Sequence, residues 1–216
     1  SGPATIGVGN VLNLTGAGPV VIRASQGGNT DYEPAPDVDR SFNVAKASQL
    51  IAFFAPPNKT YGDAPFPVSA NASSGLVVAF SIASGPASIS GNMVKLTGAG
   101  TVVVRASQGG NKNYDAAPDV DRSINVAKGT QTITFAQPPN KTVNDDPFPL
   151  AASASSGLPV TFSVLSGRAT VFGNIVTLGG ETGTVTVRAS QAGDGNYDPA
   201  ADVDRTFEVV NAGQTI

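Results

Sequence analysis

The stretch Val185-Thr186-Val187-Arg188-Ala189-Ser190 alternates apolar and polar side chains over its whole length. A period of two is the signature of an extended strand with one buried face and one wet face. Its tail, Arg-Ala-Ser-Gln, begins also at Arg23 and Arg105, so the strand recurs after 82 residues (23 to 105) and then after 83 (105 to 188). Asp-Val-Asp-Arg follows at 37–40, 119–122 and 202–205 with the same two spacings. Further out, Pro-Pro-Asn-Lys-Thr occurs at 56–60 and 138–142, Ser-Ser-Gly-Leu at 73–76 and 155–158, and Gln49, Gln131 and Gln214 each open a new unit. Blocks repeated in one order at one period define a tandem array. Complete units run 49–130 and 131–213; residues 1–48 match the C-terminal part of a unit, from Ser84 onward, and 214–216 start a further one. The expectation is a window on a longer polypeptide. By itself the first part would expose Leu12, Leu14, Val20 and Ile22, to be completed by upstream sequence or by strand addition from another chain.

The alternation extends through the last unit. Ile133 and Phe135, then Leu150, Ala152 and Ala154, then Val160, Phe162 and Val164, then Val176 and Leu178, then Phe207 and Val209 are separated by Thr, Ser, Ala or Glu, and Ala169–Val171 supplies a seventh short strand. Ser-Ser-Gly, Gly91-Asn92 and Gly173-Asn174 are the turns between them. The Pro-Pro-Asn-Lys-Thr segment cannot hold a central strand, because proline lacks the N–H donor, and is expected to cross a sheet edge. No helical stripe interrupts the pattern. About seven short strands in about 80 residues predict an all-β fold of tandem Ig-like antiparallel β-sandwich repeats. The expected core of the middle unit is Ile51, Phe53, Phe66, Val68, Val78, Phe80, Ile82, Val94, Leu96, Val102, Val104, Ile124 and Val126.

Composition narrows the function. Charged residues make up 13% of the chain, against about 25% in an average globular protein, so Ser, Thr, Asn and Gly must supply the polar surface. The net charge is −3 and no basic run occurs, which argues against nucleic acid as a partner. No apolar run reaches membrane-spanning length. The 216 residues include no His, Cys or Trp. Without His or Cys there is no Ser–His or Cys–His nucleophile, and no cofactor motif is present. A paired-carboxylate hydrolase is compatible with the residue types, but every acid pair recurs in each small unit with no larger cleft. The expectation is a chain that is not an enzyme.

The motifs Gln-x-Ile-x-Phe, Lys-Thr-Tyr-Gly-Asp-Ala-Pro-Phe at 59–66, Ala-Ser-Ser-Gly-Leu-Pro-Val-Thr-Phe-Ser-Val at 154–164, and Gly-Asn-x-Val-x-Leu-Thr-Gly-Ala-Gly-Thr-Val-x-Val-Arg-Ala-Ser-Gln at 91–108 resemble bacterial Ig-like tandem repeats, including those of the MBG type. The resemblance covers the whole chain, although Val143-Asn144-Asp145 replaces the Tyr-Gly-Asp of 61–63. It implies a secreted or cell-surface structural repeat protein forming a rod, stalk or fibre, with neighbouring repeats or identical chains as partners. It also admits an adhesive or carbohydrate-binding module, or a spacer attached to a catalytic domain elsewhere, and brings no shared catalytic residue.

Five sets of residues are candidates for chemistry, each with a plainer reading beside it. Asp37 and Asp39, Asp119 and Asp121, and Asp202 and Asp204 place two carboxylates on one side of an extended chain, where both could reach one calcium ion with help from Asn111, Asn113 and Asp115; the plainer reading caps a turn or pairs them with Arg40, Arg122 or Arg205. Tyr32, Tyr114 and Tyr197 recur at one position, where an exposed ring could stack on a cell-surface glycan or plug the end of a sandwich. Lys59 and Lys141 stand beside Asn58 and Asn140, as in sandwiches with a Lys–Asn crosslink, but in an expected surface segment. Asn13, Asn58, Asn71 and Asn140 start N-glycosylation sequons, meaningful only in a eukaryotic secreted chain. Arg23, Arg105 and Arg188 project from a wet strand face, where a cross-strand acid is the ordinary partner.

Overall fold

The computed structural model describes residues 1–213, and they form strands joined by turns, with one short 3-10 helix at Val8–Asn10 among the described residues. The first part holds β1 (Ala4–Ile6), β2 (Leu12–Leu14), β3 (Gly18–Gln26) and β4 (Ala35–Val44). Nine strands follow: β5 (Ile51–Phe53), β6 (Lys59–Thr60), β7 (Phe66–Pro67), β8 (Ala70–Ala72), β9 (Ala79–Ser84), β10 (Ala87–Ser90), β11 (Met93–Leu96), β12 (Gly100–Ser107) and β13 (Val120–Ala127). Nine more repeat them: β14 (Ile133–Phe135), β15 (Lys141–Thr142), β16 (Phe148–Pro149), β17 (Ala152–Ala154), β18 (Thr161–Ser166), β19 (Ala169–Phe172), β20 (Ile175–Leu178), β21 (Gly183–Ser190) and β22 (Val203–Val210). From β14 to β20 the offset is 82 residues; from β21 it is 83. The extra residue therefore lies in the turn before β21, where Gly179-Gly180-Glu181-Thr182 replaces Thr97-Gly98-Ala99. Among the described residues, no helix is long and apolar enough to cross a membrane.

In the last repeat β15-β22-β21-β18 form one sheet, while β16-β20-β19 and the pair β14-β17 form two smaller ones. The middle repeat has the same orders. The last repeat's core is a cluster of Ile133, Phe135, Phe148, Leu150, Val176, Val185, Val187, Ala189, Ala200, Phe207 and Val209. Two aromatic contacts cross it: Phe148 meets Phe207 edge to face at 5.5 Å, and Phe135 meets Phe162 at 5.4 Å. Such contacts add to the area term that drives burial.

The structure departs from the sequence pattern in three places. The strand expected over Leu150–Ala154 is broken: β16 pairs with β20 while β17 pairs with β14. Pro149 cannot donate to a continuous ladder, and at Leu150 the chain changes sheets, its N–H donating to the Asn174 carbonyl. After Pro138-Pro139, Lys141–Thr142 adds to the edge of the larger sheet in parallel with Val209–Val210, where the other strand pairs of that sheet are antiparallel. In the core expected for the middle repeat, Val78, Phe80 and Ile82 are half-buried rather than buried, because they lie on or beside β9, the edge strand of its sheet.

In the first part, Leu14 is exposed as expected, but Val20 is buried and Leu12 and Ile22 are half-buried. The Val21 N–H donates to the Ser1 carbonyl at 2.9 Å, which lays Ser1 and Gly2 over this strand. The described residues cluster into two compact units. One contains Ser1–Pro57, Pro65–Lys95 and Val102–Ile124; the other contains Asn58–Ala64, Leu96–Thr101 and the chain from Asn125 onward. These units cut across the repeat period.

Candidate functional site

The residues that recur in sequence meet where one repeat is linked to the next. Within the first unit, the link after β4 runs past the loop between β12 and β13. Ala47 donates its N–H to the Asn113 carbonyl (2.9 Å), and the Asp115 N–H donates to the Ala47 carbonyl (3.0 Å), a parallel bridge opposite Tyr114. Within the second unit, the link after β13 does the same. The Gly129 N–H donates to the Asn196 carbonyl (2.8 Å), and the Asp198 N–H donates to the Gly129 carbonyl (2.9 Å), opposite Tyr197. The two loops also grip a second segment. Asn113 Oδ1 accepts from the Ala17 N–H at 3.1 Å, and Asn196 Oδ1 accepts from the Ala99 N–H at 2.9 Å.

Each loop is shaped by its own sequence. Asn111 Oδ1 accepts from the N–H groups of Asn113 and Tyr114; Asp194 Oδ1 does so for Asn196 and Tyr197, and Asn29 Oδ1 for Asp31 and Tyr32. These Asx turns present the tyrosine and the residue before it. Gly28, Gly110 and Gly193 sit at φ +72°, +75° and +75°, and a Cβ on any of them would collide with the carbonyl oxygen of Tyr32, Tyr114 or Tyr197. Only glycine fits there without strain.

Behind each link lies a buried glutamine network. Gln131 Nε2 donates to Gln191 Oε1 (2.6 Å) and to the Asp198 carbonyl (2.8 Å), while Ser156 Oγ donates to Gln131 Oε1 (2.5 Å). Gln49 makes the same contacts with Gln108 (2.7 Å), the Asp115 carbonyl (2.6 Å) and Ser74. Gln49 and Gln131 are 2% and 7% exposed, and among the described residues no buried side-chain polar atom lacks a partner. A satisfied buried network fixes one geometry, since any other arrangement strands polar groups away from water. The available signal was the recurrence of Gln at the first position of each unit and at the end of Arg-Ala-Ser-Gln.

The tyrosines do not share one environment. Tyr114 and Tyr197 are half-buried in the two joints, whereas Tyr32 is 73% exposed. Tyr61 packs against Tyr197 edge to face at 5.3 Å; this contact, with Ala99 on Asn196, groups the turns at 58–64 and 96–101 with the last repeat.

The acidic pairs face arginine in every repeat. Arg188 binds Asp204 through Nε (2.8 Å) and Nη2 (2.9 Å), and its Nη1 lies 3.2 Å from Asp202. Arg105 binds Asp121 and approaches Asp119 at 3.6 Å, and Arg23 binds Asp39 and approaches Asp37 at 3.4 Å. The partner is thus the cross-strand arginine, not the adjacent Arg40, Arg122 or Arg205. Arg188 stands directly opposite Asp204 in the β21–β22 register, and strand neighbours point to opposite faces. Arg122 and Arg205 donate instead to the carbonyls of Phe53 and Phe135. The guanidinium hydrogen bonds hold the carboxyls of Asp39, Asp121 and Asp204 below the usual range. The two carboxylates of each repeat face one guanidinium, Asn111 Oδ1 accepts within its own loop, and Asn113 Oδ1 accepts from the Ala17 N–H. Among the described residues no group of three His, Cys, Asp or Glu side chains is placed to hold a metal ion.

Lys141 Nζ lies 3.8 Å from Asp145 and 4.5 Å over the Phe148 ring. Asn140 Oδ1 accepts from the Glu208 N–H and Asn58 Oδ1 from the Asn125 N–H.

Fold and site together define a class: an all-β chain of tandem sandwich repeats whose links are seated by loop hydrogen bonds. Among solved structures, the crystal structure of Drosophila N-cadherin EC1-4 resembles it with a TM-score of 0.36 and 14% identity, over 98% of this chain and 64% of that one. Mouse protocadherin-24 EC1-3 does so at 0.39 and 12%, over 97% and 87%, and surface layer protein SbsC, domains 1-6, at 0.32 and 10%, over 98% and 37%. The chain spans less than two thirds of the Drosophila and surface layer structures. No family model matches the sequence, and no curated protein matches it.

Proposed function

We propose that this chain acts as a non-enzymatic structural repeat protein, an extracellular rod, stalk or fibre built from bacterial Ig-like repeats of the MBG type at 1–48 (in part), 49–130 and 131–213. The observation that carries the reading is the recurrence of one hydrogen-bond set at two links: Ala47 with Asn113 and Asp115, and Gly129 with Asn196 and Asp198. A link seated on its neighbour on both its N–H and C=O sides loses the freedom of a tether, which is what a load-bearing array requires. Low charge and Ser/Thr-rich wet faces suit such a surface, and the absence of His and Cys leaves no obvious nucleophile–base pair. Small-angle X-ray scattering on the purified chain tests the proposal. Seated links predict one narrow distance distribution, unchanged between low and high salt. A broad distribution characteristic of freely jointed domains would refute it.

A second reading attaches to Tyr32. Its ring is 73% exposed on a loop with the same Asx turn as the other two, and an exposed tyrosine suits stacking on a sugar face. Glycan-array binding abolished by Tyr32→Ala and kept by Tyr114→Ala would establish it; absence of any bound glycan would remove it.

A further inference from the structure

We propose that Tyr61 and Tyr197 are a site of oxidative crosslinking, at which a one-electron oxidant joins the two rings as dityrosine and bridges the link between repeats covalently. The rings meet edge to face, with centroids 5.3 Å apart and planes at 80°. Both are half-buried. Backbone hydrogen bonds pin them on either side of the link. The Tyr61 N–H donates to the Ala127 carbonyl at 2.8 Å, and Gly129 is bound on its N–H and carbonyl sides by Asn196 and Asp198, the neighbours of Tyr197. Gly129 is what lets the rings approach. A Cβ there would stand 2.9 Å from the Tyr61 carbonyl oxygen and 3.2 Å from Cδ1 and Cε1 of Tyr197.

Composition directs the chemistry to this pair. The side chains that give up an electron most readily are those of Cys, Trp, Tyr, Met and His. This chain has no Cys, Trp or His, one Met and four Tyr. An electron hole placed on the protein therefore settles on tyrosine, and among the described residues Tyr61 and Tyr197 are the one tyrosine pair in ring contact.

With a peroxide as the terminal oxidant, used by a haem peroxidase, each phenol loses one electron and its hydroxyl proton. The two phenoxyl radicals couple through a new carbon–carbon bond between the Cε positions beside the hydroxyls. The hydrogens on those carbons leave as protons, and the phenol oxygens are reprotonated as both rings recover aromaticity. The peroxide O–O bond is cleaved and its oxygens are reduced, so two tyrosines and one hydrogen peroxide yield one dityrosine and two waters. The inference stands on ring geometry and composition, independently of whether the array serves as rod or adhesive.

The purified chain is treated with hydrogen peroxide and a haem peroxidase and, in parallel, with a small ruthenium photo-oxidant and persulfate, which reaches rings too recessed for an enzyme. The expected result is a monomeric product with dityrosine fluorescence. Its digest contains a peptide pair carrying Tyr61 and Tyr197, lighter than the two peptides together by two hydrogens. Tyr61→Phe and Tyr197→Phe, each checked for native circular dichroism, lose that product, while Tyr32→Phe and Tyr114→Phe keep it. Dityrosine found only between chains, a dominant crosslink through Tyr32 or Tyr114, or failure of both oxidants to couple any tyrosine would each overturn the proposal.

Discussion

Gln131 shows how a single side chain carries more than its type suggests. It is buried, it donates to Gln191 and to the Asp198 carbonyl, and it accepts from Ser156. Replacing it by Ala removes a partner from three groups that are distant in sequence, of which Gln191 is itself buried. Gln131→Ala is expected to lower stability by about 1–3 kcal/mol, and Gln49→Ala similarly, as read from urea midpoints. Exposed ion pairs behave differently. Protonating Asp39, Asp121 or Asp204 breaks its bond to arginine, which is why their titration is displaced downward. The ionised form is favoured in the folded chain, so the pairs contribute above the unfolded-state value of about 3.9 and the contribution is lost as pH falls through the lower folded value. Stability is therefore expected to be flat from neutral pH to about 5 and to decline below about 4. The decline should be shallower in a variant carrying Arg105→Ala and Arg188→Ala, and weaker at high salt. The sequence makes the arginine's strand face and an acidic cross-strand partner readable. It does not reveal the glutamine network, because Ser156, Gln191 and Asp198 lie in separate turns and loops 25 to 67 residues away and are brought to Gln131 only by the fold.

At the scale of the element, period two is enough to place β14, β18, β20, β21 and β22, because each buries one face and one face only. It fails where backbone hydrogen bonding decides instead. Leu150 alternates correctly with its neighbours, yet the ladder passes from β16 to β17 around it. Lys141–Thr142 has no apolar pattern and still pairs with β22. Edge position also grades the core. Leu96 is 8% exposed on β11, and Leu96→Ala should cost about 2–5 kcal/mol through lost burial and a residual cavity. Phe80, half-buried on edge strand β9 and held edge to face by Phe53 at 5.5 Å, can relax toward solvent when truncated. Phe80→Ala is expected near 2 kcal/mol, at the bottom of that range. Denaturant unfolding of both variants checks the order; a larger loss at Phe80 would mean that the edge of the sandwich is closed in solution.

At the scale of the whole chain, stability of a repeat array is a sum over repeats and over the interfaces between neighbours, so the links decide whether repeats unfold together. Two side-chain-dependent features seat the link in the second unit. Asn196 Oδ1 receives the Ala99 N–H, and Gly129 leaves room for the Tyr61 carbonyl and the Tyr197 ring. Asn196→Ala removes one hydrogen bond, worth about 1 kcal/mol. Gly129→Ala drives a methyl into the Tyr61 carbonyl, and because the Gly129 N–H and C=O are both held, the backbone cannot yield without breaking the bridge to Asn196 and Asp198. The interface term should fall while the repeat cores are untouched. Calorimetry of the unaltered chain is expected to show residues 49–213 unfolding in one transition. The variant carrying both substitutions should show that transition separating into two, with the summed enthalpy nearly conserved. Asn113→Ala, which removes the bond from the Ala17 N–H at the earlier link, should leave this transition single. If the unaltered chain already unfolds in two independent steps, the hydrogen bonds at Gly129 carry no coupling, and the link is a tether whose contacts form and break without consequence for the repeats on either side.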